Sequence, residues 1–243
     1  MTKPIYICGP TASGKSSLAI ALAKRLDGEI INGDAYQVYR GIETLSAAPS
    51  VAELREVPHH LFSIIDPSEE FDAQRYRELA LPIIAELQAR NKRAIIVGGS
   101  GMYLKFLTHG PSPVPASDPS LRDQLEQRDI QSLATELTKL DPEGAASTNL
   151  QNKRYVIRAL EICLLSGKKM SEIKMDWKNC SLEIDKQLRG MLIQWPVEQL
   201  RQRIAQRTKL MLENGAIQEV ETLNGASVTC EKAIGYPQIT AYL

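Results

Sequence analysis

The residues with the clearest chemical meaning stand near the start of the chain. Residues 9–16 read GPTASGKS and fit G-x-x-x-x-G-K-[ST], a P-loop placed between an apolar run and a helical pattern. Backbone N–H groups in such a loop surround phosphate oxygens, and the lysine adds a point charge. The motif predicts a phosphate site made by Gly9, Pro10, Thr11, Ala12, Ser13, Gly14, Lys15 and Ser16. The hydroxyl of Ser16 is the predicted Mg²⁺ ligand.

A carboxylate, Asp34, follows the apolar pattern at residues 29–31. In open α/β sheets ligands bind at the carboxyl ends of the strands, so Asp34 is predicted to face the phosphate site. It is a candidate general base, and capping of a helix is its alternative role. The apolar run at 93–97 ends in Gly98 and Gly99 rather than in the carboxylate that ATPases use to hold Mg²⁺.

Strand and helix patterns alternate around these residues. Strands are predicted at 3–9, 29–31, 60–65, 93–97 and 190–195, and helices at 16–25, 71–91 and 103–107. This order predicts an α/β fold with a mostly parallel sheet, like the core of P-loop NTPases. Residues 116–186, after a proline-rich stretch, are almost wholly helical. We therefore predict a core of residues 1–115 and 187–243, with residues 116–186 as a helical insertion.

Composition excludes several protein classes. The chain has 243 residues, 43% of them hydrophobic and 24% charged, which is unlike a disordered, coiled-coil or disulfide-scaffold protein. Apolar runs are far shorter than a membrane span, and no signal peptide is evident. We expect a cytoplasmic protein without a membrane partner. The cysteines, Cys8, Cys163, Cys180 and Cys230, lack metal-binding spacing and are predicted to be free thiols.

Charge is unevenly distributed along a chain whose formal net charge is zero. Residues 150–210 contain 13 Lys or Arg and only 6 Asp or Glu. A basic segment in an otherwise acidic chain favours a nucleic-acid partner, although solvated basic faces are also common.

Several segments together resemble the tRNA dimethylallyltransferase (tRNA isopentenyltransferase) family. They are GPTASGKS at 9–16, IINGDAYQVYRG at 30–41, PHHL at 58–61, IDP at 65–67, VGGSGMYL at 97–104, LDP at 140–142, RALE at 158–161 and AIGY at 233–236. They stand in family order and span nearly the whole chain.

The resemblance implies transfer of a dimethylallyl group from dimethylallyl diphosphate to N6 of the adenosine 3′-adjacent to the anticodon. It implies Asp34 as the base, Ser100 and Thr11 as diphosphate ligands, and Mg²⁺ as the cofactor. The implied partner is the anticodon stem-loop of tRNA. We expect the protein to be a monomer. The implied tRNA contacts are Asp34, Ala35, Tyr36, Gln37, Ser100, Arg122, Arg154 and Arg158.

Two other functions stay open at this level. A small-molecule kinase would bind ATP in the same P-loop. A catalytically weakened RNA-binding homologue is the second, because Val197 stands where the family usually has an arginine for the diphosphate, and the family's basic tail does not follow residue 243. Arg201 or Arg203 could reach the site instead, or Arg201, Arg203 and Arg207 could form a solvated face. Trp195 is predicted in the core, and His59 and His60 in structural hydrogen bonds.

Overall fold

The computed structural model describes residues 2–111, 113–223 and 225–243. They fall into two compact units: a core unit, Met1–Gly110 with Leu188–Leu243, and a helical unit, Pro111–Gln187. The strands are β1 (Ile5–Cys8), β2 (Gly28–Asn32), β3 (His59–His60), β4 (Arg93–Gly98) and β5 (Gly190–Leu192). The helices are α1 (Lys15–Leu26), α2 (Glu43–Ser46), α3 (Val51–Glu56), α4 (Ala73–Ala89), α5 (Gly101–His109), α6 (Pro119–Glu126), α7 (Ile130–Leu140), α8 (Pro142–Ala146), α9 (Lys153–Ser166), α10 (Met170–Asp185), α11 (Val197–Glu213), α12 (Ala216–Thr222) and α13 (Tyr236–Tyr242), with a 3₁₀ turn at Cys230–Lys232.

The core unit is built on a parallel sheet. Within the described residues the sheet has five strands in the order β3-β2-β4-β1-β5. All the neighbouring strands are parallel. Parallel strands require crossover connections, which the helices between them supply. The predicted α/β fold is therefore confirmed. The carboxyl ends of β1, β2 and β4 meet at one edge of the sheet, where each strand leaves for a loop.

Alternating side chains of the strands enter two different hydrophobic clusters. Ile30 and Ile95 are paired across β2 and β4 and pack with α1, whereas the next pair, Ile31 and Ile96, enters the opposite cluster with Tyr76 of α4. This follows from the two-residue period of a strand. Both faces of the sheet are thus covered, which explains why β2 and β4 read as continuous apolar runs.

The third strand is shorter than predicted. The sequence indicated a strand over residues 60–65, but β3 ends at His60. Leu61 and Ser63 have positive φ values of 64° and 49°, which an extended strand cannot accommodate. Leu61 and Ile65 are nevertheless buried, so the apolar pattern reported burial rather than an extended backbone. The fifth strand likewise ends at Leu192 rather than residue 195.

The helical unit has its own hydrophobic cluster and well-defined helix starts. Side chains of Asp118, Asp129 and Asn152 accept backbone N–H groups at the beginning of α6, α7 and α9. Such caps satisfy donors that the first turn of a helix leaves free. Leu133, Leu137 and residues of α9 pack together away from solvent. The predicted role of this unit in binding tRNA stays a prediction at this point.

A buried carboxylate, Glu161 on α9, joins the segment before α6 to this cluster. Its side chain is 0% exposed and accepts hydrogen bonds from Ser117 Oγ (2.6 Å) and from the backbone N–H of Asp118 (2.7 Å). Arg158 and Arg122 donate to the other carboxylate oxygen at 2.8 and 3.4 Å. Burial alone would raise the pKa of Glu161, but these hydrogen bonds lower it below its ordinary value.

Glu161→Gln is expected to lower the stability of the protein at pH 7 by about 2–3 kcal/mol, because two arginines lose their charged partner. The lowered pKa means that wild type holds this stabilisation above pH 4.5 and loses it as the pH falls through the folded-state value. The difference between the two melting temperatures should therefore narrow below pH 4.5. Glu172→Gln, which removes an exposed carboxylate 3.6 Å from Lys169, is the control. Equal melting temperatures for wild type and Glu161→Gln at pH 7 would contradict the prediction.

Two further expectations concern composition. In the part of the chain that the structure describes, no helix has the length and apolar character needed to cross a membrane. Cys8, Cys163 and Cys230 are free thiols, as predicted. The prediction for Cys180 concerns a side chain that lies outside those described.

Candidate active site

A cavity of about 1110 Å³ opens where β1, β2 and β4 end. The loop after β1 forms one wall, Asp34 and Gln37 after β2 form a second, and Val97–Gly99 at the end of β4 forms the floor between them. Arg203 and Arg207 of α11 complete the lining from a distant part of the sequence. The sheet therefore brings the phosphate-binding motif and the candidate base into one site, as the strand pattern predicted.

The loop after β1 presents unused hydrogen-bond donors. Ala12 and Gly14 have positive φ values of 58° and 92°, a conformation that lets neighbouring N–H groups converge. Within the described residues, the backbone N–H groups of residues 13–17 have no protein acceptor. The Ser13 hydroxyl is buried and has no hydrogen-bond partner in the described part of the chain. Donors left without acceptors at the start of α1 indicate a site for an anion.

Lys15 and Arg207 are among the cations that line the same cavity. Burial lowers the pKa of Lys15; the Asp34 carboxylate opposes this change and the Arg207 charge adds to it. Burial also lowers the pKa of Arg207, again opposed by Asp34. The Lys15 ammonium donates to the carbonyl of Pro10 at 2.7 Å. Removing two cations from water is unfavourable, so an anion with several negative charges would stabilise this arrangement.

Asp34 is held by a buried asparagine at the end of β2. Asn32 is 0% exposed, its Oδ1 accepts the Asp34 N–H at 2.8 Å, and its Nδ2 donates to the Leu61 carbonyl at 2.9 Å. Asp34 Oδ1 accepts the N–H of Tyr36 at 3.0 Å, which is a turn rather than a helix cap, since the next helix begins at Glu43. Oδ2 has no partner among the described residues. The role of Asn32 was missed by the sequence analysis, although a polar residue ending a buried strand was a usable signal.

Close packing explains why β4 ends without a carboxylate. A Cβ atom built on Gly98 would lie 2.0 Å from the Gly33 carbonyl oxygen, so no side chain fits there. The Gly33 N–H donates to the Val97 carbonyl at 2.8 Å, which holds the two strand ends together. The carboxylate that an ATPase places at this point is therefore sterically excluded at Gly98.

The predicted site residues divide into two groups. Those that line the cavity are Thr11, Ala12, Ser13, Gly14, Lys15, Ser16, Asp34 and Gln37. Ser100 lies behind them, where its Oγ accepts the N–H of Ala35 at 2.8 Å and so holds the loop that carries Asp34. Gln37 donates to the carbonyls of Ser46 and Ala47 at 3.1 and 2.8 Å. Gly9, Pro10, Ala35 and Tyr36 are part of the surrounding loops rather than of the lining.

The expectation for Val197 is corrected by the geometry of α11. Val197 begins this helix, is 67% exposed and does not line the cavity. Arg203 and Arg207, one turn apart on the same helix, do line it. Arg201 faces solvent near Glu198. The alternatives for the arginine cluster are thus decided residue by residue, because a helix returns to the same face after four residues.

The prediction that Trp195 lies in the core was also wrong. Its Nε1–H donates to the Ser13 carbonyl at 2.9 Å, and the Arg203 guanidinium lies over its ring at 4.5 Å. Arg203 Nε in turn donates to the Ala12 carbonyl at 2.7 Å. Both side chains therefore contact the backbone of the phosphate-binding loop.

The two histidines have different surroundings. His60 Nε2 lies 2.7 Å from Glu29 in the sheet, which agrees with the structural role predicted for it. His59 lines the cavity, with its Nδ1 2.8 Å from the Val57 carbonyl and its ring against Phe62. Burial lowers the pKa of His59, which favours its neutral form.

The arginines predicted to contact tRNA in the helical unit are not equivalent. Arg154 is exposed on α9. Arg158 and Arg122 are partly exposed but bind Glu161, and Arg158 also donates to the Pro115 carbonyl at 2.8 Å. Through these bonds Arg158 and Arg122 hold the helical unit together.

The chain is similar to known proteins over nearly its whole length. The family described as IPP transferase matches residues 37–243. A tRNA dimethylallyltransferase of Akkermansia muciniphila is 42% identical over 239 residues, which cover 98% of this chain and 80% of that protein. The chain belongs to the tRNA dimethylallyltransferase family. The predicted enzyme class is thereby confirmed.

Other relatives and solved structures give the same assignment. A tRNA dimethylallyltransferase 1 of Citrifermentans bemidjiense is 40% identical over 245 residues, covering 99% of this chain and 79% of that protein. The tRNA isopentenylpyrophosphate transferase of Bacillus halodurans superposes with a TM-score of 0.65 at 33% identity, covering all of this chain and 77% of its own. A eukaryotic dimethylallyltransferase acting on tRNA gives a TM-score of 0.76 at 33% identity, over 92% of this chain and 56% of its own.

Proposed function

We propose that this tRNA dimethylallyltransferase family member transfers a dimethylallyl group from dimethylallyl diphosphate to N6 of the adenosine 3′-adjacent to the anticodon of a tRNA. The bond between the allylic carbon and the diphosphate oxygen breaks, and its electron pair leaves with diphosphate. The bond from N6 to that carbon forms, and an N6 proton passes to Asp34. The observation that carries the proposal is that Asp34 and the donor-rich loop line one cavity.

The diphosphate end of the cavity suits a leaving group that gains charge. The free N–H groups of residues 13–17, Lys15 and Arg207 are fixed before the reaction begins. Negative charge on the bridging oxygen grows as the C–O bond breaks, so these groups stabilise the transition state more than the bound substrate. Thr11 and Ser13 add hydroxyl donors on the same wall.

The acceptor end of the cavity suits an amine. One oxygen of Asp34 is held by the Tyr36 N–H, which leaves Oδ2 to accept a proton from N6. Adenine must leave its stack in the anticodon loop to reach such a cavity, as base-modifying enzymes in general require. Gln37 lines the same wall, and Ala35, Tyr36 and Ser100 hold the loop in place.

Mg²⁺ is the cofactor that fits this site. Ser16 is exposed beside Lys15 in the cavity and offers the hydroxyl that a P-loop gives to magnesium. Within the described residues no cluster of three or more His, Cys, Asp or Glu side chains could hold a metal. Mg²⁺ commonly takes few protein ligands and completes its shell with substrate phosphates and water, so Ser16 and the diphosphate would hold it together. When bound, it would neutralise charge on the departing diphosphate.

The helical unit is proposed to contact tRNA. The enzyme is proposed to be a monomer of the cytoplasm, because tRNA functions there. Arg154→Gln is expected to raise KM for tRNA about threefold, because one exposed phosphate contact is lost, and to reduce the salt dependence of tRNA binding by about one charge. KM for dimethylallyl diphosphate should not change. Lys139→Gln, also in this unit, is a control of equal charge. Unchanged tRNA binding by Arg154→Gln would contradict this contact.

The steric exclusion of a carboxylate at Gly98 argues against the kinase alternative. The deciding experiment combines radiolabelled dimethylallyl diphosphate, Mg²⁺ and unmodified tRNA, with a second tRNA that carries guanosine at the target position. Label is expected in the first tRNA only, and ATP should not compete with dimethylallyl diphosphate. Binding of both substrates without transfer would identify a weakened homologue. Stabilisation of the protein by ATP but not by dimethylallyl diphosphate would support a kinase.

A further inference from the structure

Two side chains outside the proposed contacts to substrate hold the back of the phosphate-binding loop. Trp195 Nε1–H donates to the Ser13 carbonyl at 2.9 Å, and Arg203 Nε donates to the Ala12 carbonyl at 2.7 Å. The guanidinium of Arg203 stacks on the Trp195 ring, with 4.5 Å between its central carbon and the ring centroid. A Cβ on Gly14 would lie 3.9 Å from Arg203 Nη2, so the guanidinium follows the loop.

These two bonds determine where the neighbouring N–H groups point. In a trans peptide unit the C=O and N–H bonds have opposite directions. Because the Ala12 carbonyl is bound to Arg203, the N–H of Ser13 points away from that side chain. The Ser13 carbonyl is bound to Trp195, so the N–H of Gly14 points away from the indole in the same manner. Among the residues that the structure describes, neither N–H group has a protein acceptor.

The loop conformation requires such support. Ala12 adopts a φ of 58°, in the left-handed region. This conformation costs a non-glycine residue energy, so it persists only where contacts with the surroundings offset that cost. Trp195 follows β5 in the chain. The N–H of Ile193, the first residue after β5, donates to the Cys8 carbonyl at 2.8 Å, just before the loop. The indole is therefore anchored to the sheet next to the loop that it holds.

We propose that Trp195 and Arg203 are positioning residues. By binding the Ser13 and Ala12 carbonyls, they keep the N–H groups of Gly14 and Ser13 free for a diphosphate. The proposal rests on the proposed function only in taking a diphosphate as the ligand. Neither residue needs to touch the reacting atoms. They would lower the cost of binding by holding the loop in its binding conformation before the ligand arrives.

Trp195→Phe is the decisive variant, because it keeps a ring under Arg203, removes the N–H donor and changes no charge. We expect its affinity for inorganic pyrophosphate with Mg²⁺, measured by calorimetry, to fall about fivefold, as for loss of one hydrogen bond. KM for dimethylallyl diphosphate should rise by a similar factor while KM for tRNA stays unchanged. Arg203→Gln should lose about 30-fold in pyrophosphate affinity, because its bond is charge-assisted.

Arg201→Gln is the matched control, since Arg201 lies on the same helix but faces solvent, 74% exposed. Thermal melts of each variant show whether it is folded. Wild-type affinity in Trp195→Phe would overturn the proposal, even if Arg203→Gln bound weakly, because charge alone would then explain the loss. Failure of wild type to bind pyrophosphate would overturn it too. If wild type binds pyrophosphate but does not prenylate tRNA, the proposed function fails, and the calorimetry still decides the roles of Trp195 and Arg203.

Discussion

Asp34→Asn is expected to lower kcat for prenyl transfer about 1000-fold, the middle of the range for a lost general base. Asparagine keeps an Oδ1 that can accept the Tyr36 N–H, so the loop should retain its conformation. It cannot take the proton that N6 gives up when the new bond forms. The expected signature is normal affinity for pyrophosphate together with very slow labelling of tRNA, measured in single-turnover assays with saturating substrates.

The control for Asp34→Asn is Asp66→Asn. Asp66 also accepts a backbone N–H two residues ahead, from Ser68 at 3.0 Å, but it lies in an exposed turn outside the cavity. Its substitution should leave kcat within about twofold, as for most exposed positions. A rate for Asp34→Asn above a tenth of wild type would show that another group takes the proton.

Arg207→Gln is expected to lower kcat/KM for dimethylallyl diphosphate about 100-fold, in the range for one lost electrostatic contact to a transition state. The Arg207 guanidinium lines the cavity with Lys15, and burial lowers its pKa. Its charge therefore acts in a poorly solvated place. Val197→Arg, in contrast, should leave the rate unchanged, since position 197 begins α11 in solvent. Steady-state kinetics of both variants compare the two ends of the helix directly.

Lys209→Gln provides the control for Arg207→Gln. Lys209 lies two residues further along α11, is 79% exposed and pairs with Glu213 at 3.8 Å. It removes the same charge from the same helix without altering the cavity. A large increase in rate for Val197→Arg would contradict the assignment, because it would place the missing cation at the start of the helix after all.

Both predictions depend on one electrostatic arrangement. Lys15 and Arg207 stand with the free N–H groups of the loop, and Asp34 is close enough to oppose the lowering of both cations' pKa values. A bound diphosphate would neutralise the cations and would separate them electrostatically from Asp34.

Local sequence was sufficient for the phosphate-binding loop and the candidate base. GPTASGKS combines glycine, lysine and serine at a spacing that has one main structural use, and the apolar runs before it and before Asp34 predicted two strands of one sheet. The strand predicted at residues 60–65 was too long, because burial and extended backbone produce the same apolar pattern. Gly98 could be recognised as lacking a carboxylate, but its contact with Gly33 could not.

The amino-acid sequence by itself determined the fold class and predicted the phosphate-binding loop and Asp34 as the candidate base, because each depends on residues close together in the chain. Only the tertiary structure decided which arginines of α11 reach the cavity, and that Trp195 holds the loop rather than filling the core. Ser13 and Trp195 are 182 residues apart, and Ala12 and Arg203 are 191 apart. Helical spacing places Arg203 and Arg207 on one face, but which face meets the loop depends on how α11 packs after β5. That packing is set by contacts between distant segments, which no local pattern of residues contains.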